Sequence, residues 1–541
     1  MLNKITAFVV NNPRKCIVFI ILVSLFFCFF AFRITFNANM KDMIPLDDPV
    51  IKDLERATKI FGSQNFLMVV IKSSDVFKVD LLKKVDYLSE KFSHLRGVER
   101  VITPLNITLI ESGEFFIEVT PIVEHIPRNE KEVKEFKEKI LGSRRGRALI
   151  SKDEKSLLIL ITLKPEIIAT EGANELVREL MKITKEEEGE DKIYVVGDAY
   201  LASYATDRMK YDLYFLFPLV TFTVTLILYL NFRRKLGVFL PLLTVILSVI
   251  WTIGLMALVG FSFTIVSVIT PVILVAIGSA YGIHIMNKYY EAIRKDISAK
   301  EAVLETMREM NSPVIMTAFT TVGGFITLTT SFVIPIKEFG VATAFGVLAA
   351  MILSLVLIPA VLVLQNSPPS FREKKSKINL SSFLNKVGKS INKYPRVVII
   401  LSGVILVFFA LGIPKIITEA DLTRYLGERS AVVKGIRFVE SEFGGSSRIM
   451  VVVDTGEKDG IKNPEVLRKM KDIEDYLDSL PYVSNSSSVA TLISEINQVL
   501  NGGDPQYYAI PETKKAVAQE LLLFTMQGGS EIDSLVSYDF K

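Results

Sequence analysis

Cysteine is nearly absent from this chain of 541 residues: there are two, Cys16 and Cys28, both inside the first apolar run. They offer no disulfide framework, so cysteine usage reports nothing about the compartment. Histidine is almost as scarce. His94, His125 and His284 lie on three separate segments, which argues against a histidine-based metal site. The full phosphate-loop pattern Gly-x4-Gly-Lys-Ser/Thr is missing as well, because Gly388-Lys389-Ser390 has Phe383 where the first glycine would stand, which removes the usual sign of direct ATP drive. No constellation of enzymatic side chains stands out, so the expectation is a non-enzyme with no cofactor and no metal. The formal net charge of +4 is small and spread over loops, leaving no nucleic-acid footprint.

What the chain has in quantity is apolar sequence. Half of its residues are hydrophobic and its mean hydropathy is +0.38. Charged residues still make up 23%, so the charges must be segregated, with membrane spans alternating with soluble domains. The run 16–32, broken only by Ser24, is followed by Arg33 and bulky residues rather than a small-residue cleavage site. It reads as a retained span or signal anchor. Seven segments are long enough to cross a hydrocarbon core, at about 15–33, 212–230, 236–259, 263–287, 313–334, 340–364 and 396–413.

Short-loop charge sets the orientation. Arg14 and Lys15 precede span 1, Arg233, Arg234 and Lys235 separate spans 2 and 3, and Lys288, Arg294, Lys295, Lys300 and Arg308 separate spans 4 and 5. Seven further Lys and Arg, from Arg372 to Lys393, precede span 7, whereas the span 5–6 turn carries only Lys337. The N-terminus is therefore expected in the cytoplasm of a multi-pass cell-membrane protein, with residues 35–210 and 415–541 outside.

Residues 35–210 alternate strand-like runs (65–72, 98–102, 115–123, 156–163, 192–196) with helical ones (79–92, 130–141, 171–184). That pattern predicts an α/β domain of βαβ units. Residues 211–365 hold spans 2–6 with a cytoplasmic amphipathic helix at 289–312, expected along the membrane surface. Residues 366–395 form a polar, Pro-containing linker, 396–414 are span 7, and the basic turn 142–146 (GSRRG) reads as surface.

The chain also repeats itself. Asn11-Asn12-Pro13-Arg14 before span 1 is echoed by Asn392-Lys393-Tyr394-Pro395-Arg396 before span 7, and FGSQNFLMVVIK from Phe61 recurs as FGGSSRIMVVVD from Phe443. Pro13 and Pro395, like Phe61 and Phe443, are separated by the same 382 positions. Parallel repeats are a mark of transporters. The second copy is incomplete at residue 541, so the expectation is a fragment or a chain whose second half is supplied separately.

Several motifs now converge. Gly197-Asp198-Ala199 leads into span 2, span 4 ends in Tyr281-Gly282-Ile283-His284, and span 5 reads Thr317-Ala318-Phe319-Thr320-Thr321-Val322-Gly323-Gly324-Phe325. Glu338-Phe339-Gly340 opens span 6. With one span, a large outer domain and five clustered spans, the chain resembles the resistance-nodulation-division (RND) superfamily. Within it, the likeness is to the MMPL and Patched-like exporter branch. The resemblance implies a polytopic α-helical membrane protein with ferredoxin-like outer porter domains and sterol-sensing-domain-like spans 2–6. It implies export of hydrophobic or amphipathic substrates such as lipids, driven by an ion gradient. The alternatives are a non-transporting lipid sensor or scaffold, and an accessory subunit of protein translocation.

The resemblance also places a proton-carrying carboxylate in span 4 immediately before Tyr-Gly, where this chain has Ala280. Asp212 and Glu338 lie only at span edges. His284, four residues on and hence on the same helix face, is the remaining ionisable candidate, with Tyr281, Thr317, Thr320 and Thr321 as coupling candidates beside it. A packing or interfacial histidine is the competing reading. Gly278, Gly282, Gly323 and Gly324 are expected to let spans 4 and 5 approach closely. Expected partners are membrane lipids or other hydrophobic small molecules, and a second half-transporter or a second copy.

Overall fold

A computed structural model describes residues 2–541 except 46, 64, 113–116, 168–170, 296, 366–379, 418–421, 482, 530, 531 and 533. Among the described residues, seven helices are long and apolar enough to cross a membrane: Pro13–Ala31, Asp198–Phe232, Lys235–Leu258, Ser267–Ile293, Ala299–Thr330, Ile334–Val363 and Pro395–Lys415. They are called spans 1 to 7.

Spans 3, 4 and 6 form the centre of the bundle. Small residues make this possible, because without a hydrophobic drive inside lipid, helices associate by close van der Waals contact. Span 6 buries Ala342, Ala344, Gly346, Ala349 and Ala350. A Cβ on Gly346 would lie 2.5 Å from both Thr252 Oγ1 and Leu274 Cδ1. Span 1 is fastened to span 3 by Trp251 Nε1 donating to Ser24 Oγ at 2.9 Å.

Two boundaries differ from the sequence expectation for clear reasons. Span 2 belongs to one helix of 35 residues, Asp198–Phe232, which starts 14 residues before the apolar run because the polar outer turns are helical too. Gly197 sets its start. Its φ is 138°, and a Cβ there would sit 2.4 Å from Phe66 O, so only glycine fits. The segment 289–312, expected as one helix along the membrane surface, is instead shared between two spans. Span 4 continues to Ile293, and a capping box of Ser298 and Glu301 starts the next helix at Ala299. Ile293, Val303 and Met307 are buried in the bundle core.

Outside the bundle, β1 (Phe66–Lys72), β2 (Val98–Ile102), β5 (Ser156–Leu163) and β6 (Lys192–Val196) form a sheet of order β2-β5-β1-β6, antiparallel throughout. The helices Val79–Ser93 and Glu171–Glu186 connect β1 to β2 and β5 to β6. Each crossover skips one strand, the split βαβ plan. β1 is the apolar centre, with Leu67, Val69, Val70 and Ile71 each fully buried.

The remaining strands, β3 (Thr108–Ser112) and β4 (Ile117–Pro121), form a separate hairpin. It does not join the sheet. Ile117 packs with Leu467, Ile493 and Val517 of the later outer segment. The exchange is mutual, because the helix Ala431–Phe443 buries Val432 and Val439 in the core of the first sheet. There Phe438 stacks on Tyr194 with ring centroids 4.3 Å apart. The two outer segments are interlocked. After β6, the described residues contain helices and turns but no strand.

Candidate coupling face on spans 4 and 5

Span 4 is two-sided. Its glycine side is pressed into the bundle: a Cβ on Gly282 would lie 2.5 Å from Pro241 Cβ, and one on Gly278 would lie 3.2 Å from Ala350 Cβ and Val245 Cγ2. These two glycines do allow close approach, but to spans 3 and 6 rather than to span 5. On the other side, Ala276, Ala280, His284 and Asn287 follow one another at helical spacing. Ala276, His284 and Asn287 are exposed and Ala280 is half-buried. The described helices leave that side open.

His284 makes no hydrogen bond with the described residues. One turn further on, Lys288 Nζ pairs with Glu291 at 3.0 Å and Glu309 at 3.1 Å, joining spans 4 and 5 near their connection. Tyr281 points the other way, into the bundle, and is 2% exposed. The Thr321 hydroxyl faces its hydroxyl, but the two do not reach hydrogen-bond geometry and Tyr281 Oη stays buried without a partner. Thr321 Oγ1 instead donates to Thr317 O at 2.8 Å, and Thr320 Oγ1 donates to the same carbonyl at 2.9 Å. Such back-bonding is the usual fate of threonine in a span. Tyr281 and Thr321 therefore come together, whereas Thr317 and Thr320 are exposed.

Gly323 and Gly324 have no atom within 4 Å of where a Cβ would stand. The close contact expected of them is not made within the described residues. Phe319 and Met316 are likewise exposed. Spans 4 and 5 together thus present a surface of small, hydroxyl-bearing and apolar groups with one imidazole at the end nearer Lys288. Among the described residues, no Asp, Glu, Lys or Arg is buried inside the bundle; the buried charged residues, Glu474 and Glu520, lie in the outer segment.

A polar cavity of about 160 Å³ sits at the other end of the bundle, where Asn37, Asp42, Ser262, Thr264 and Glu338 meet. Asn37 Nδ2 donates to Asp42 Oδ2 at 2.6 Å. Sequence reading placed Glu338 at the outer edge of span 6 but gave no sign of Asn37 and Asp42. They come from the strap after span 1, and only folding brings them there.

With this geometry in place, comparison with known proteins is decisive at the level of the family. The model of the MMPL family matches residues 42–398, well over half of the chain. The chain belongs to the MMPL family. The MMPL match begins in the strap after span 1, takes in the first sheet and spans 2–6, and ends at the start of span 7. The chain is also 24% identical over 379 residues to the membrane protein MJ1562 of Methanocaldococcus jannaschii, covering 68% of this chain and 94% of that protein. It is 23% identical over 501 residues to the membrane protein YdgH of Bacillus subtilis, covering 88% of this chain and 48% of that protein. Family, relatives and apolar helices agree that this MMPL chain is a multi-pass membrane protein.

Proposed function

We propose that this MMPL-family chain is an RND-type transporter that exports hydrophobic or amphipathic molecules such as lipids through the cell membrane. In this reading the N-terminus is cytoplasmic and the interlocked outer units are porter domains. The observation that carries it is the helix Asp198–Phe232. Its first turn places Ala199 and Tyr200 in the core of the outer sheet, and its far end places Leu228 and Phe232 in the core of the bundle. An unbroken helix of this length spans about 52 Å. Displacement of the bundle is thereby delivered to the outer sheet, as alternating access requires.

The open face of spans 4 and 5 is, in this proposal, the coupling surface. Ala280 removes the carboxylate of the RND pattern, so His284 or a second half-transporter or second copy covering this face supplies the ionisable group. Tyr281 with Thr321 forms the hydroxyl pair behind it. A second reading, a sterol-sensing-like lipid sensor that does not transport, is favoured by the lack of buried charge among the described residues of the bundle.

The two readings part in reconstituted vesicles. The transporter reading expects movement of a fluorescent lipid to accelerate when a proton or sodium gradient is imposed. Gradient-independent lipid binding with no movement would sink it in favour of the sensor.

A further inference from the structure

Span 1 has two unlike faces. Cys16 and Ile20 are buried, and Trp251 Nε1 of span 3 donates to Ser24 on the same helix. The opposite face carries Val18, Phe19 and Leu22, which are 56%, 65% and 60% exposed. Arg14 and Lys15 are exposed at the start of the helix. Steps of three, four and seven from Lys15 keep Val18, Phe19 and Leu22 on its side. These five side chains line an open groove of about 340 Å³. The groove is charged at its mouth and apolar along its length.

The two cations have nothing to neutralise them. Neither side chain has a partner among the described residues, and no side chain lining the groove is an acceptor. Basic residues nearby are treated differently. Lys300 Nζ donates to Asn11 Oδ1 at 3.3 Å, which puts the start of span 1 at the same end of the bundle as the connection between spans 4 and 5. There Lys288 is paired with Glu291 and Glu309, and Lys295 with Glu305. Arg234 lies over the Tyr290 ring, 5.5 Å from its centroid. A ligand that answers both parts of the groove brings an anion and an apolar chain on one molecule. A phosphodiester would accept from the Arg14 fork and the Lys15 ammonium. An acyl chain would lie along Val18, Phe19 and Leu22, a stretch of about 10 Å measured from Lys15. A zwitterionic headgroup brings its own cation to the same place, so two unpaired cations select a headgroup of net negative charge.

We propose that the groove at the N-terminal end of span 1 is a resident site for one anionic phospholipid, held by Arg14 and Lys15. Span 1 is already fixed to span 3, so the groove is preformed and little has to be ordered when the lipid arrives. The lipid is a ligand of the scaffold rather than cargo, and the proposal stands independently of the transport reading. The repeat supplies a comparison within the chain. At 382 positions further on, Arg396 matches Arg14 but Val397 stands in place of Lys15, so the second copy lacks half of the headgroup contact.

The test uses the full chain in detergent, stripped of lipid, with phosphatidylglycerol or phosphatidylcholine added back. A ligand that binds the folded state raises the melting temperature, so phosphatidylglycerol should raise it well above the phosphatidylcholine value. Arg14→Gln with Lys15→Gln should weaken the apparent affinity for phosphatidylglycerol by about tenfold or more, two interfacial cations being lost. Arg14→Lys with Lys15→Arg should keep the affinity, and Arg396→Gln should leave it unchanged. Four outcomes overturn the proposal: equal stabilisation by the two lipids, full affinity in the double glutamine variant, an equal loss in the charge-preserving variant, or an equal loss in Arg396→Gln. Should the double glutamine variant fail to fold, a salt series on the wild-type chain decides. Added salt should weaken the phosphatidylglycerol effect, and an effect indifferent to salt overturns the proposal. A dimer that forms on stripping and survives added phosphatidylglycerol assigns the groove to a second copy, which overturns it too.

Discussion

Arg144 Nη1 donates to Tyr508 Oη at 2.9 Å, joining two residues 364 positions apart. The same guanidinium reaches Asn485 Oδ1 at 3.3 Å, Ser486 O at 3.4 Å and Asp478 at 3.7 Å, while Arg145 pairs with Glu495 at 3.9 Å. The turn that reads as bare surface in the sequence is a clasp between the two outer units.

Arg144→Ala should loosen that clasp without unfolding either unit. The pairs are partly exposed, so screening keeps their worth small; the loss expected is about 1 kcal/mol, mostly from the hydrogen bonds. Spin labels on either side should report a broader distance distribution, with Arg144→Lys restoring it only in part. An unchanged distribution would show that the interlocked hairpin alone holds the units.

Glu520 predicts a pH dependence. It is 6% exposed, its Oε2 has no partner, and burial pushes its carboxyl up to about 7. The folded state then holds a proton that the unfolded state, titrating at about 4.3, releases earlier. Its contribution is most favourable below about 4.3 and is lost as pH rises towards 7. Thermal melts should therefore show the outer unit less stable at pH 8 than at pH 5, by a few kcal/mol. Glu520→Gln should remove most of that difference. A melt insensitive to pH in the wild-type chain would refute the burial argument.

The glycines divide into two classes. Gly282→Ala drives a methyl into Pro241, including its backbone Cα at 2.8 Å, and should cost about 1–3 kcal/mol as an overpacked core. Gly323→Ala and Gly324→Ala meet open space and should be neutral or slightly stabilising, by up to about 1 kcal/mol, because alanine favours helix. Detergent melting temperatures of the three variants decide this.

His284→Ala separates packing from coupling. The side chain is exposed and bonds to none of the described residues, so melting should not change. Gradient-driven lipid movement, if the imidazole carries the coupling, should fall to the gradient-free rate. Retention of gradient dependence in this variant would assign coupling to another group.

Much of this architecture was legible because hydrocarbon thickness and strand alternation write long, local signals. The runs that became spans 3 and 6, and β1, β2, β5 and β6, carry their own pattern. Span starts were not legible where polar helix continues apolar helix, as at Asp198 and Ala299. β3 escaped because residues 108–112, two of them polar at the ends, look like loop until β4 pairs with them. The faces of span 5 were beyond reach for another reason. A glycine pair announces that a helix can come close, but not whether one does, and Gly323 and Gly324 face outward. Arg144 was opaque because every side-chain partner it has among the described residues lies more than 330 positions away.

The exchanged hairpin also imposes an order in time. Ile117 is among the early residues to leave the ribosome, yet the core that buries it is drawn from residues 461–536. At typical elongation rates it waits on the order of tens of seconds for that core. Through that interval a sticky strand pair stays uncovered while six spans, 2 to 7, enter the membrane, so the outer units can only close late, as a joint event rather than one after the other.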